Sequence, residues 1–209
     1  MTKPVFFKPY HDEQADLEYN LLFCDNLQLY RQQSVRFVGE EWQSVLAFRP
    51  KRDNLHSIVL KGEAPARAKI LSYNYLKAKG INFEKKELLG VILEAGVDTG
   101  LETLAAYTDA GAIYIDSSAK ILRWQAGQTR IQNELASYFA ASVKLAEQLK
   151  PSDHLRFPPP FAGMARITLL LSDGLYFGQG PSNNLTKDSL SGPLIRQANQ
   201  WLSKLMTVS

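Results

Sequence analysis

Apolar residues recur at helical spacing in two long stretches. Ile131, Leu135, Tyr138, Phe139, Val143, Ala146 and Leu149 predict an amphipathic helix over 128–150 that Pro151 stops. Leu194, Ile195, Ala198, Trp201, Leu202 and Leu205 predict a second over 193–206. In the first half the clearest helix is 63–79. Pro65 sits early, where its missing N–H costs nothing, and Ile70, Leu71, Tyr73, Tyr75 and Leu76 form the apolar side. Gly80 follows a basic last turn, as suits a helix C-terminus. Trp42, Val45, Leu46 and Phe48 suit one face of a shorter helix ended by Pro50, and Asp53 reads as the N-cap of a segment through Leu60. Leu21-Leu22-Phe23-Cys24 reads as a short buried strand, after which Asp25 caps a helix over 26–33.

The pattern changes at Leu88. Leu88-Leu89-Gly90-Val91-Ile92-Leu93, Leu104-Ala105-Ala106-Tyr107, Ala112-Ile113-Tyr114-Ile115 and Ile121-Leu122-Arg123-Trp124 are short β-rich runs. Turn chemistry at Asp98-Thr99-Gly100, Asp109-Ala110-Gly111 and Asp116-Ser117-Ser118 separates them. A helix over 87–107 competes with this reading, but Gly90, Gly96 and Gly100 would each cost it about 1 kcal/mol relative to Ala. An antiparallel four-strand meander is therefore expected. The proline-rich stretch 151–163 is an extended loop, and 167–171 with 175–177 form a hairpin about Asp173-Gly174. The expected fold class is α+β: a helical N-terminal part, then a β-meander plus hairpin packed against two C-terminal helices. No composition break marks a boundary, so 1–209 reads as one domain, with 1–86 the stretch that could stand as a helical lobe.

Composition agrees with a packed core, at 45% hydrophobic and 11% aromatic residues. The longest apolar runs fall far short of the roughly 20 residues of a membrane span, and the first residues lack a secretory apolar stretch. One cysteine, Cys24, allows no internal disulfide, so a cytoplasmic setting is expected, with no membrane partner.

Residues 1–86 carry 14 basic against 10 acidic side chains, and 87–209 carry 10 against 11. The basic surplus, including Arg67, is interspersed with acidic and core-like residues, so nucleic acid is not expected as a partner. Between Lys86 and Lys120 the charged residues are all acidic: Glu87, Glu94, Asp98, Glu102, Asp109 and Asp116. If these converged on one rim of the meander they could hold magnesium or calcium, or a basic partner; the alternative is that they mark turns and solvent faces. A second candidate surface joins the proline-rich loop to the turn after Phe177, where Arg156, Tyr176, Gln179, Asn183 and Asn184 offer donors, acceptors and a ring.

Familiar catalytic patterns are missing. Gly178-Gln179-Gly180-Pro181 lacks the Lys of a phosphate loop, Ser172 is not in a nucleophile elbow, and His11, His56 and His154 have no paired spacing for zinc. Cys24, flanked by Leu22 and Phe23, suits an inert buried thiol.

The run from Leu88-Leu89-Gly90-Val91-Ile92-Leu93-Glu94 through Gly100-Leu101 and Leu104-Ala105-Ala106-Tyr107-Thr108-Asp109 to Trp124, with Ser172-Asp173-Gly174-Leu175-Tyr176-Phe177-Gly178-Gln179-Gly180-Pro181, resembles a group of bacterial proteins with no assigned activity. The resemblance covers the last two-thirds of the chain if 67–80 is included; it implies a bacterial cytoplasmic protein and assigns it no particular cofactor, substrate or catalytic residue. The leading expectation is a non-enzymatic module that binds a protein or small ligand, without cofactor or metal, and homo-oligomers are compatible with it. The alternative is a carboxylate-dependent, magnesium-assisted enzyme acting on a small polar or phosphorylated substrate.

Overall fold

The computed structural model describes residues 5–84, 86–124, 129–152 and 156–206. His154 lies outside this set, as do the side chains of Ile131 and Leu205. The fold is α+β, a six-stranded antiparallel sheet between two groups of helices.

Helix α1 (Glu13–Leu22) starts at Asp12, whose carboxylate accepts from the Ala15 N–H at 2.8 Å. The strand expected at 21–24 is instead the end of this helix: Leu21 and Leu22 form its last turn, and Cys24 turns the chain with φ of 54°. Leu21, Leu22, Phe23 and Cys24 are all buried, as are Glu18 and Asn20 before them, so this terminus is buried on every side and its apolar residues carry no helical period. Asn26, rather than Asp25, caps α2 (Leu27–Gln32) by accepting from the Leu29 N–H. A single 3-10 turn (Ser34–Arg36) leads to α3 (Glu40–Leu46) and α4 (Arg52–Leu60). Lys51 occupies the N-cap position of α4, and Asp53 lies in its first turn, where a carboxylate favours the helix dipole. Helix α5 (Ala66–Ala78) begins directly after Pro65 and ends before Gly80, whose φ of 82° suits glycine.

The meander forms as expected: β1 (Leu88–Val97), β2 (Gly100–Tyr107), β3 (Ala112–Ile115) and β4 (Ile121–Trp124). Helix α6 (Thr129–Ala146) carries the chain back to β5 (Met164–Leu171), which pairs antiparallel with β1, and β6 (Gly174–Pro181) completes the hairpin. A short α7 (Ser182–Lys187), absent from the sequence expectation, precedes α8 (Ser191–Met206). The strand order is β4-β3-β2-β1-β5-β6.

Both sheet faces are covered. Leu89, Ile92, Leu101, Ala105, Tyr107 and Ile113 share a core with α1–α5, including Tyr19, Leu55 and Leu71. Val91, Leu93, Leu104, Ala106, Ile167 and Leu169 share the other with Tyr138, Leu194 and Trp201 of α6 and α8. Double coverage explains the near-continuous apolar runs of β1 and β5: an antiparallel sheet with one wet face would alternate. Among the described residues no helix is long and apolar enough to cross a membrane.

Candidate functional site

One row of polar residues crosses this apolar sheet. Thr103 on β2, Glu94 on β1, Arg166 on β5 and Gln179 on β6 stand opposite one another in the strand register. Glu94 is fully buried and accepts from the Tyr19 hydroxyl at 2.7 Å and from Arg166 Nη1 at 3.5 Å. Arg166 also donates to Gln179 Oε1 and to the carbonyls of Phe157 and Pro158 in the proline-rich loop. Beside it Arg156 donates to Asp25 at 2.7 Å, to Asn20 and to the Val5 carbonyl, with its guanidinium 4.4 Å from the centre of the Phe23 ring. Burial pushes the Glu94 and Asp25 carboxyls upward; the neighbouring arginines only partly offset it. Glu94 and Gln179 are thus joined through Arg166, and Arg156, which lines the same small cavity as Arg166, fastens the loop to the N-terminal segment. The cavity there is about 10 Å³, the size of one water.

The other expected residues stand apart. Asp98 is exposed in the β1–β2 turn. Asp109 accepts from the Gly111 N–H and, at 3.0 Å, from the Ala66 N–H at the start of α5. Asp116 closes its own turn through Ser118 and Lys120. The Tyr176 hydroxyl bonds Lys86 and Asp173, and Asn183 is exposed on α7. Among the described residues no three His, Cys, Asp or Glu side chains are grouped to hold a metal.

A roomier pocket, about 440 Å³, opens beside the edge strand β4, and it is lined by three arginines. Arg36 comes from the 3-10 turn, Arg67 from the first turn of α5, and Arg123 from β4; Phe37, Val38, Trp42, Tyr107 and Trp124 supply apolar walls. The Arg67 guanidinium lies 5.7 Å from the centre of the Phe37 ring and 5.3 Å from that of Tyr107. Both rings are braced. Tyr107 donates its hydroxyl to the Leu22 carbonyl at 2.7 Å, and Phe37 packs against Tyr30 and Trp42. The Arg67 guanidinium makes no hydrogen bond or ion pair with any described residue.

Arg36 and Arg123 are held differently: both donate to Oε2 of the buried Glu18, Arg123 at 2.7 Å. Burial alone would raise the Glu18 carboxyl, but hydrogen bonds from Arg123 and Arg36 and their charges outweigh it and hold the group below its ordinary 4.5. Glu18 is therefore ionised at neutral pH and balances one of the three guanidiniums.

Cys24 sits behind this pocket with its Sγ 3.2 Å from the Tyr30 hydroxyl. Burial pushes its thiol up to about 12, so it is a poor nucleophile at neutral pH. In the native protein, at mildly alkaline pH, an aromatic disulfide reagent is expected to leave Cys24 unmodified, with full reaction only in concentrated guanidinium. Rapid reaction of the native protein would contradict this burial.

Arg36, Arg67 and Arg123 gave no common signal in the sequence, where they lie on three elements up to 87 positions apart. Arg67 stood out only as one of several basic residues in the first half, and the register that sets β4 beside α5 is a property of the folded sheet. No protein-family model matches the chain, and no curated protein matches it.

Proposed function

We propose that this protein is a binding module for a small anionic ligand, taken up by the Arg36, Arg67 and Arg123 pocket. One observation carries the reading: the Arg67 guanidinium is fixed between two rings, lines a cavity of ligand size, and is hydrogen-bonded to no carboxylate among the described residues, Glu18 acting on it through charge alone. A guanidinium stays charged at any working pH and offers a planar fork matched to carboxylate or phosphate. The walls from Phe37, Val38, Trp42 and Trp124 suit an apolar, preferably flat, remainder of the ligand. A bacterial cytoplasmic setting belongs to the same proposal; it is supported by the single cysteine and by the resemblance described above.

Calorimetric titration with benzoate and with inorganic phosphate tests the reading. Arg67→Met keeps most of the apolar stem and removes the charge, so affinity is expected to fall about 10- to 100-fold, the value of one charge-assisted hydrogen bond. Equal affinity in a folded Arg67→Met protein would overturn the assignment.

A further inference from the structure

We infer that Glu18 sets the charge of the ligand, making the pocket selective for a monoanion over a dianion. This rests on the proposed anion-binding role of the pocket and adds the chemical class of what it binds.

The argument is one of charge and depth. Glu18 is only 1% exposed and does not line the cavity, whereas the two arginines it holds are 33% and 40% exposed and do. It lies on α1, and Arg36 and Arg123 reach it from the 3-10 turn and the edge strand, so one carboxylate orients two guanidiniums that share no element. Three arginines line the pocket; Glu18 behind them and Asp109 on the wall carry two negative charges, which leaves one net positive charge. The Asp109 carboxylate is itself committed to the Ala66 and Gly111 N–H groups. A ligand with one negative charge matches that surplus. A second negative charge would enter a partly dry site with no unbalanced partner, against two fixed carboxylates. Glu18 is in this sense a positioning and selecting residue that does not touch the ligand.

The test uses benzoate and phenyl phosphate, flat probes that carry one and two negative charges at mildly alkaline pH, titrated by calorimetry at low ionic strength. The wild-type protein is expected to prefer benzoate. Glu18→Gln keeps an acceptor for the two arginines but adds one positive charge, and it is expected to shift the affinity ratio about tenfold towards phenyl phosphate. An unchanged ratio in Glu18→Gln, with both probes still bound, would overturn the role of Glu18 and leave the pocket assignment standing. Binding of neither probe to the wild-type protein would overturn both. Should Glu18→Gln not fold, Arg123→Gln on the edge strand carries the same test in the opposite direction. It lowers the pocket charge by one, and phenyl phosphate should then lose more affinity than benzoate; equal losses would count against the inference.

Discussion

Replacing Arg166 with methionine is expected to destabilise the fold by about 3–5 kcal/mol, the cost of removing one partner from a buried ion pair. Arg166 is 3% exposed and serves four acceptors: Glu94, Gln179 and the carbonyls of Phe157 and Pro158. Its loss leaves Glu94 with only the Tyr19 hydroxyl among the donors seen here and strips two loop carbonyls of a donor. Urea unfolding followed by tryptophan fluorescence would read the change as a lower midpoint. The sign of its pH dependence follows from Glu94, whose carboxyl burial already holds above its ordinary value. Without Arg166 it rises further, so the folded state binds a proton more tightly than the unfolded chain. The penalty is then fully present above the folded pKa and relieved as the pH falls through it, so the Arg166→Met deficit should shrink on acidification. A deficit below 1 kcal/mol, or one that grows on acidification, would contradict this description of the polar row.

Gly96→Ala is the second large effect. A Cβ at Gly96 would lie 2.1 Å from the Phe161 carbonyl oxygen and 2.7 Å from that of Pro160. Both obstacles are backbone, and the Gly163 N–H donates to the Gly96 carbonyl at 3.0 Å, so the loop is tied to the strand at the point of collision. Strand or loop must move, at a cost of about 1–3 kcal/mol, or several degrees in melting temperature for a chain of this size. Displacement of the loop would also draw the Phe157 and Pro158 carbonyls from Arg166. Gly178→Ala is the control, because a Cβ there meets nothing within 4 Å. Equal melting temperatures for Gly96→Ala and Gly178→Ala would show that the loop does not rest on β1 as described.

The meander was legible because its turns carry their own chemistry: Asp109 and Asp116 each accept hydrogen bonds from backbone N–H groups of the turns that the Asp-Ala-Gly and Asp-Ser-Ser runs mark. Helices α6 and α8 were legible because each has one apolar stripe, and α5 because Pro65 and Gly80 mark its two ends. Leu21–Leu22 was misread because a helix end buried all round loses its period, and the placement of α1–α5 on the second sheet face left no local mark. Glu94 looked like part of an acidic rim, although it points into the core; with both faces buried, alternation gives no warning of which side chain is inside. Arg156 and Gln179 were singled out as loop and turn donors. They act as fasteners: Arg156, in the loop, bonds Asp25, and Gln179 accepts from Arg166, which in turn holds the loop carbonyls. The arginine pocket depends on contacts between the 3-10 turn, α5 and the sheet edge that no sequence window spans.

The most direct measurement is an amide and indole NMR titration of the protein with benzoate. Trp42 and Trp124 line the pocket while Trp201 does not, so each indole reports on its own place. The expected result is saturable movement of the Trp42 and Trp124 indole signals and of the Arg67 side-chain signal, abolished by Arg67→Met. Saturable shifts centred on other residues, or no shift at millimolar benzoate, would contradict an anion site at Arg67.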